Sequence, residues 1–216
     1  MAFGTAYDAR VPLLTRFVII AVLAYVVLVG VVWLLQERFI FYPQLGREIV
    51  ATPATRGVPY EEVRLATSDG KQLNAWWVPV DKPLGTVLLF HGNAGNISHR
   101  IDYALMFRRI GYSTLLVDYR GYGRSTGTPT EQGTYTDADA AWGWLTKTQR
   151  VPEREVVLFG ESLGGGVASW LAARHEVRAG PGVHVHVRSG SGFGALPIPA
   201  SAVRQPASLR HDPPVT

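Results

Sequence analysis

The most continuous hydrophobic segment is residues 17–35, FVIIAVLAYVVLVGVVWLL, in which no charged side chain interrupts the run. As a helix rising ~1.5 Å per residue it is ~28 Å long, close to the ~30 Å hydrocarbon core of a bilayer. A helix buried in a soluble domain rarely stays apolar on every face over five turns. A cleavable signal sequence has a shorter apolar region and a small-residue cleavage site, and QERFIFYPQ supplies none. Arg16 precedes the run, Glu37-Arg38 follow it, and Trp33, Phe39, Phe41 and Tyr42 gather near its far end. The pattern predicts one uncleaved transmembrane helix over 17–35, with the lipid bilayer as its partner. Arg10, Arg16 and the amino terminus narrowly outweigh Arg38 and Arg47, which favours a cytoplasmic 1–16 and an extracytoplasmic remainder.

Residues 36–60 carry Pro43, Pro53, Gly57 and Pro59 without periodicity and read as a linker. A regular succession follows. EEVRLAT (61–67) alternates apolar and polar like an edge strand, Ser68-Asp69-Gly70 is a turn, and LNAWWVPV (73–80) is a second strand. GTVLLF (85–90), STLLVDY (113–119) and EVVLFG (155–160) are short apolar runs between turn residues, as strands buried on both faces should be. Helical spacing recurs at 97–111, 135–149 and 163–175, with Gly111 placed as a C-cap. Strands alternating with helices in this way predict an α/β domain over 61–178, a mostly parallel sheet with flanking helices. The pattern stops at 179–216, which is rich in Gly, Pro and Ser and reads as an irregular or disordered tail; VHVHV (183–187) alternates, but no helix follows it.

Composition narrows the chemistry. Hydrophobic residues make up 47% and charged residues 18% of the chain, enough for a sizeable core and too apolar for general disorder. The absence of cysteine removes thiol catalysis, disulfides and Cys-ligated metals together. The net charge of +4 comes from scattered Lys and Arg rather than a basic patch, which argues against a nucleic-acid surface.

Gly160-Glu161-Ser162-Leu163-Gly164 fits G-x-S-x-G and lies between an apolar strand and a small-residue helix, the setting of a nucleophile elbow. Such a turn lifts the hydroxyl of Ser162 clear of the sheet. The loop His91-Gly92-Asn93-Ala94-Gly95-Asn96 after the third strand is rich in Gly, so its backbone N–H groups are free to face a developing oxyanion. One donor is expected from Asn93, or its neighbour Ala94, and the other from Leu163 immediately after the nucleophile. His91 reads as packing beneath the loop, because it precedes the nucleophile while the usual order is Ser, acid, His. Asp118, in Asp118-Tyr119-Arg120-Gly121-Tyr122-Gly123-Arg124-Ser125, likewise reads as a loop organiser paired with Arg120 or Arg124.

FHGNAGN, VDYRGYGRS, the acidic helix after GTPTEQGTY and VLFGESLGGGVA occur in the order found in the α/β-hydrolase superfamily. Over residues 12 to about 178 the chain resembles its membrane-anchored serine hydrolases, the branch related to serine aminopeptidases, which also carry a segment like ERFIFYP after an apolar anchor. The resemblance implies the N-terminal half of an α/β-hydrolase fold behind one transmembrane helix. It further implies Ser162 as the nucleophile of an ester, thioester or amide hydrolase acting on a small ester or peptide, with no cofactor and no metal.

The tail departs from that pattern. Glu176 and Asp212 are the only acids after Ser162, and none of His175, His184, His186 and His211 follows Asp212, so neither triad acid nor His is identifiable. Read one base later from about Ala179, permitted codons for Gly180–Gly192 can encode Val-Leu-Glu-Ser-Thr-Phe-Thr-Ser-Val-Pro-Asp-Leu, which resembles the strand and loop that relatives place there. The expectation is a truncated hydrolase with a frameshifted tail, weak or inactive in turnover; nucleotide sequence across codons 175–185 tests it. The competing reading is a non-catalytic membrane-tethered remnant or interaction domain.

Overall fold

The computed structural model describes residues 12–175 and the backbone of two short strands, 186–189 and 192–195. Two units are distinguished, Met1–Ile40 and Phe41–Thr216. In the first, helix α1 runs Leu13–Ile40, longer at both ends than the apolar run. Arg16 N–H donates to Pro12 O at 3.1 Å, and Gln36-Glu37-Arg38 continue the helix because straight-chain residues propagate it well. Pro43 disfavours helical geometry at Tyr42 before it, and α1 ends at Ile40. The helix is long and apolar enough to cross a membrane.

The second unit is an α/β layer structure. Strands β1 (Glu61–Ala66), β2 (Gln72–Val78), β3 (Gly85–Phe90), β4 (Tyr112–Val117) and β5 (Val156–Gly160) form one sheet in the order β1-β2-β4-β3-β5. β1–β2 and β2–β4 pair antiparallel, whereas β3 pairs parallel with both β4 and β5, so β2 alone runs against the other four. Helices α2 (Ile101–Arg109), α3 (Glu131–Gly143) and α4 (Leu163–Ala172) cover the faces. Alternate residues serve opposite cores. Leu88, Phe90, Leu115 and Val117 pack with Ala138, Ala141, Val167 and Leu171 of α3 and α4. Val87, Leu89 and Leu116 pack with Ile97 in the 3₁₀ turn before α2 and with Ile101 and Ala104 of α2. Burial on both faces is why these strands read as unbroken apolar runs.

Several boundaries differ from the sequence expectation: α2 covers 101–109 of the expected 97–111, and α4 covers 163–172 of the expected 163–175. α3 begins at Glu131 rather than 135, because the Thr130 hydroxyl caps it by accepting from Gly133 N–H at 3.0 Å. The α3 segment ends in a five-residue π turn, Trp144–Thr148. Residues 41–60, expected as a linker, belong to the domain: Phe41 and Pro53 are buried, and Ile49, Ala51, Val58 and Tyr60 pack on the second core. Within 179–216 the described backbone forms the antiparallel pair β6 (His186–Ser189) and β7 (Gly192–Ala195).

Candidate active site

β5 ends at Gly160 and α4 begins at Leu163, leaving Glu161 and Ser162 to make the turn. Ser162 stands at φ 51°, ψ −111°, a region L-residues seldom occupy, and its side chain is exposed. The flanking glycines are required by space. A Cβ on Gly160 would strike the backbone of Gly164, and one on Gly164 would strike the carbonyl of Phe90 and lie 2.8 Å from that of His91. The turn is further tied to β3 by Glu161 N–H donating to Phe90 O at 3.0 Å. Leu163 is the first residue of α4, so its N–H has no acceptor within the helix and lies beside the serine, where the helix dipole favours negative charge.

The loop after β3 packs against the elbow, where a Cβ on Gly92 would lie 3.4 Å from Glu161 Oε1. Asn93 Oδ1 accepts from the Tyr122 hydroxyl at 3.0 Å and from Tyr42 N–H at 3.0 Å. Burial pushes the Tyr122 hydroxyl up to about 12, so it remains a donor. Asn96 Nδ2 reaches the carbonyls of Gly46, Arg47 and Glu48 at 2.8, 3.0 and 2.9 Å, and its Oδ1 accepts from Ser98 N–H at 2.8 Å. With its side chain thus engaged, the Asn93 backbone N–H makes no hydrogen bond among the described residues. The elbow and the loop are bridged by a fork-on-fork pair: Arg100 Nε donates to Glu161 Oε2 at 3.0 Å and Nη2 to Oε1 at 3.3 Å. Tyr42, Tyr122, Arg100 and Glu161 were not legible as site residues, since each acts through a partner distant in sequence.

His91 is fully buried, as expected, between Tyr119 and Tyr122. Its Nδ1 is 2.7 Å from Gly92 O, which assigns the proton to Nδ1 and leaves the Nε2 lone pair 3.5 Å from Asp118 Oδ1. Burial, reinforced by the charge of Arg100, holds the imidazole down to about 3 and hence neutral. Burial also raises the Asp118 carboxyl to about 7, against the lowering effect of its bonds from Ile97 N–H at 2.8 Å and Asn74 Nδ2 at 3.2 Å. Asp118 does organise the loop, but not through Arg120 or Arg124. Arg120 turns instead to Asp137 (2.8 Å) and Asp69 (2.6 Å), where its hydrogen bonds, with that of Thr67, hold Asp69 down to about 2. Arg124 lies on the surface 3.5 Å from Glu62. The guanidinium of Arg120 reaches the exposed Asp69, whereas Asp118 is enclosed by Asn74, Ile97, Gly123 and His91.

Comparison with known proteins agrees with this geometry. Residues 85–183, from β3 to beyond α4, match the family model described as the alpha/beta hydrolase fold. The uncharacterized membrane protein YNL320W of Saccharomyces cerevisiae is 38% identical over 142 residues, 64% of this chain and 50% of that protein. The alpha/beta hydrolase domain-containing protein WAV2 of Arabidopsis thaliana is 36% identical over 154 residues, 68% of this chain and 50% of that protein. The Pyrococcus furiosus esterase Pf2001 matches with a TM-score of 0.50 at 25% identity, covering 57% of this chain and 48% of that structure. The chain has the alpha/beta hydrolase fold that these matches share. It spans about half the length of the curated relatives it matches.

In α/β hydrolases the acid and His of the triad follow the nucleophile. Among the described residues none takes that part. His175 stacks on Trp142 with ring centroids 4.4 Å apart, its Nε2 3.9 Å from Asp139 Oδ1. The ten residues of α4, ~15 Å of helix, separate it from Ser162. His99, near the elbow, accepts from Asn96 N–H at 3.3 Å as part of the loop's own capping. Glu176, His184, His211 and Asp212 lie outside the described residues, and His186 is described in backbone alone. Among the described residues no group of three or more His, Asp or Glu is arranged to hold a metal.

Proposed function

We propose that this chain carries the nucleophile and oxyanion site of a membrane-tethered serine hydrolase acting on ester, thioester or amide bonds. The observation that carries the reading is the strained, exposed Ser162, fixed between two glycines that admit no side chain. A structural turn gains nothing from a serine at that conformation; a nucleophile gains exposure and direction. In the reaction the Ser162 hydroxyl oxygen bonds to the substrate carbonyl carbon while its proton passes to a base. The negative charge on the carbonyl oxygen is met by the N–H groups of Asn93 and Leu163. Collapse expels the leaving group, which takes up that proton, and water then cleaves the acyl-serine. None of the described residues supplies the base or its acid partner, so turnover by this chain alone is weak or absent. Helix α1 serves as the anchor, with 1–16 cytoplasmic and the hydrolase domain outside.

A non-catalytic, membrane-tethered interaction domain is the second reading, favoured by the lack of any His facing Ser162 among the described residues. A fluorophosphonate probe separates the two, because it bonds to a serine activated by a neighbouring base. The hydrolase reading expects labelling of the full chain that disappears in Ser162→Ala. Labelling that persists in Ser162→Ala, or none in the parent, favours the second reading.

A further inference from the structure

The segment that leaves α1 is the same segment that holds the oxyanion loop. Ile40 ends α1, Phe41 is buried in the domain core, and Tyr42 N–H already donates to Asn93 Oδ1 at 3.0 Å. Leu45 O accepts from Gly95 N–H at 2.7 Å, Asn96 takes the next three carbonyls, and Ser98 Oγ accepts from Val50 N–H at 3.1 Å. Residues 41–50 therefore form a strap that cannot swing away from the loop without breaking this series.

The 28 residues of α1 are ~42 Å long, against ~40–45 Å for a bilayer including its headgroups. A helix centred in the membrane thus ends at the headgroup layer, with the strap beginning there. The strap presents apolar surface: Tyr42 is exposed, Leu45 is 58% exposed and Val50 is 65% exposed. Side chains of this kind, costly in water, are stabilised at the bilayer interface. The charges nearby, Glu37, Arg38, Arg47 and Glu48, cancel, so the surface suits neutral lipid rather than an anionic headgroup.

We infer that the strap holds the oxyanion loop at the bilayer surface and that the site takes a long-chain acyl ester of a membrane lipid. The substrate assignment rests on the serine-hydrolase reading; the placement does not.

Because the chain has no cysteine, one can be introduced as a unique label site. Ala94→Cys lies just beyond one end of β3 and Asp81→Cys just before the other, ~20 Å of strand apart. The full chain is placed in phosphatidylcholine vesicles carrying a headgroup-level quencher. A fluorophore at 94 should lose most of its emission relative to quencher-free vesicles, and should be quenched at least as strongly as one at 81. Emission at 94 that the quencher leaves unchanged, or stronger quenching at 81, overturns the placement. In the same vesicles, a fluorophosphonate with a long alkyl chain should label Ser162 on the order of tenfold faster than a short-chain one, as expected when the probe is concentrated in the bilayer. Equal rates overturn the acyl-ester assignment. Reaction with neither probe overturns the serine-hydrolase reading and the assignment with it, while the quenching comparison still decides the placement.

Discussion

Ser162 combines a left-handed φ of 51° with ψ −111°, the conformation that turns reserve for glycine. Among the described non-glycine residues only Lys82 and Arg150 share a positive φ. Holding an L-residue there costs ~1–3 kcal/mol. Because the serine side chain is exposed, removing it opens no cavity and strands no buried partner. Ser162→Gly should release the strain at the expense of ~0.5–1 kcal/mol of added unfolded-state freedom. Ser162→Ala keeps the Cβ and therefore the strain. The glycine variant should exceed the alanine variant by ~0.5–2 kcal/mol, and alanine should match the parent within ~0.5 kcal/mol. Urea unfolding in detergent reads the difference through tryptophan emission, Trp76 being buried in the core. A glycine variant no more stable than the alanine variant, at unchanged urea slope, would refute the claim that the elbow stores strain.

Asp118 and His91 should oppose each other with pH. A carboxyl raised from 3.8 to about 7 binds more protons folded than unfolded, so its contribution to stability falls as pH rises from about 4 to 7. An imidazole lowered from 6.5 to about 3 binds fewer protons folded, so its contribution rises from about pH 3 to 6.5. Between pH 4.5 and 6.5, Asp118→Asn should therefore gain stability with pH relative to the parent, and His91→Asn should lose it; urea midpoints showing the reverse signs would contradict the raised carboxyl and the lowered imidazole. Arg120→Met should cost ~3–5 kcal/mol, because it leaves the fully buried Asp137 carboxylate without its ion pair. Adding Asp137→Asn, which keeps an acceptor for Arg120 N–H (2.8 Å), should recover more than half of that loss in urea midpoint; a double variant no better than the single one would remove the buried charge as the cause.

By itself the sequence determined whatever depends on neighbours along the chain. Nineteen apolar residues in a row specify a helix of bilayer length, and unbroken runs such as GTVLLF specify strands covered on both faces. G-x-S-x-G announced the elbow because the clash that demands Gly160 arises within a single turn, whereas the one that demands Gly164 comes from Phe90 and His91 across the sheet. The tertiary structure alone decided the partners of polar groups far apart in the chain. Asp118 chose Ile97 N–H and Asn74 over the two arginines beside it, Arg100 found Glu161 across 61 positions, and Asn96 gathered three carbonyls some 50 residues earlier. A side chain's reach and its choice of buried partner are set by strand register and by which groups lose water on folding, and neither is written in local spacing. That is why 41–50, which read as part of a linker around Pro43, is instead fastened to the loop after β3.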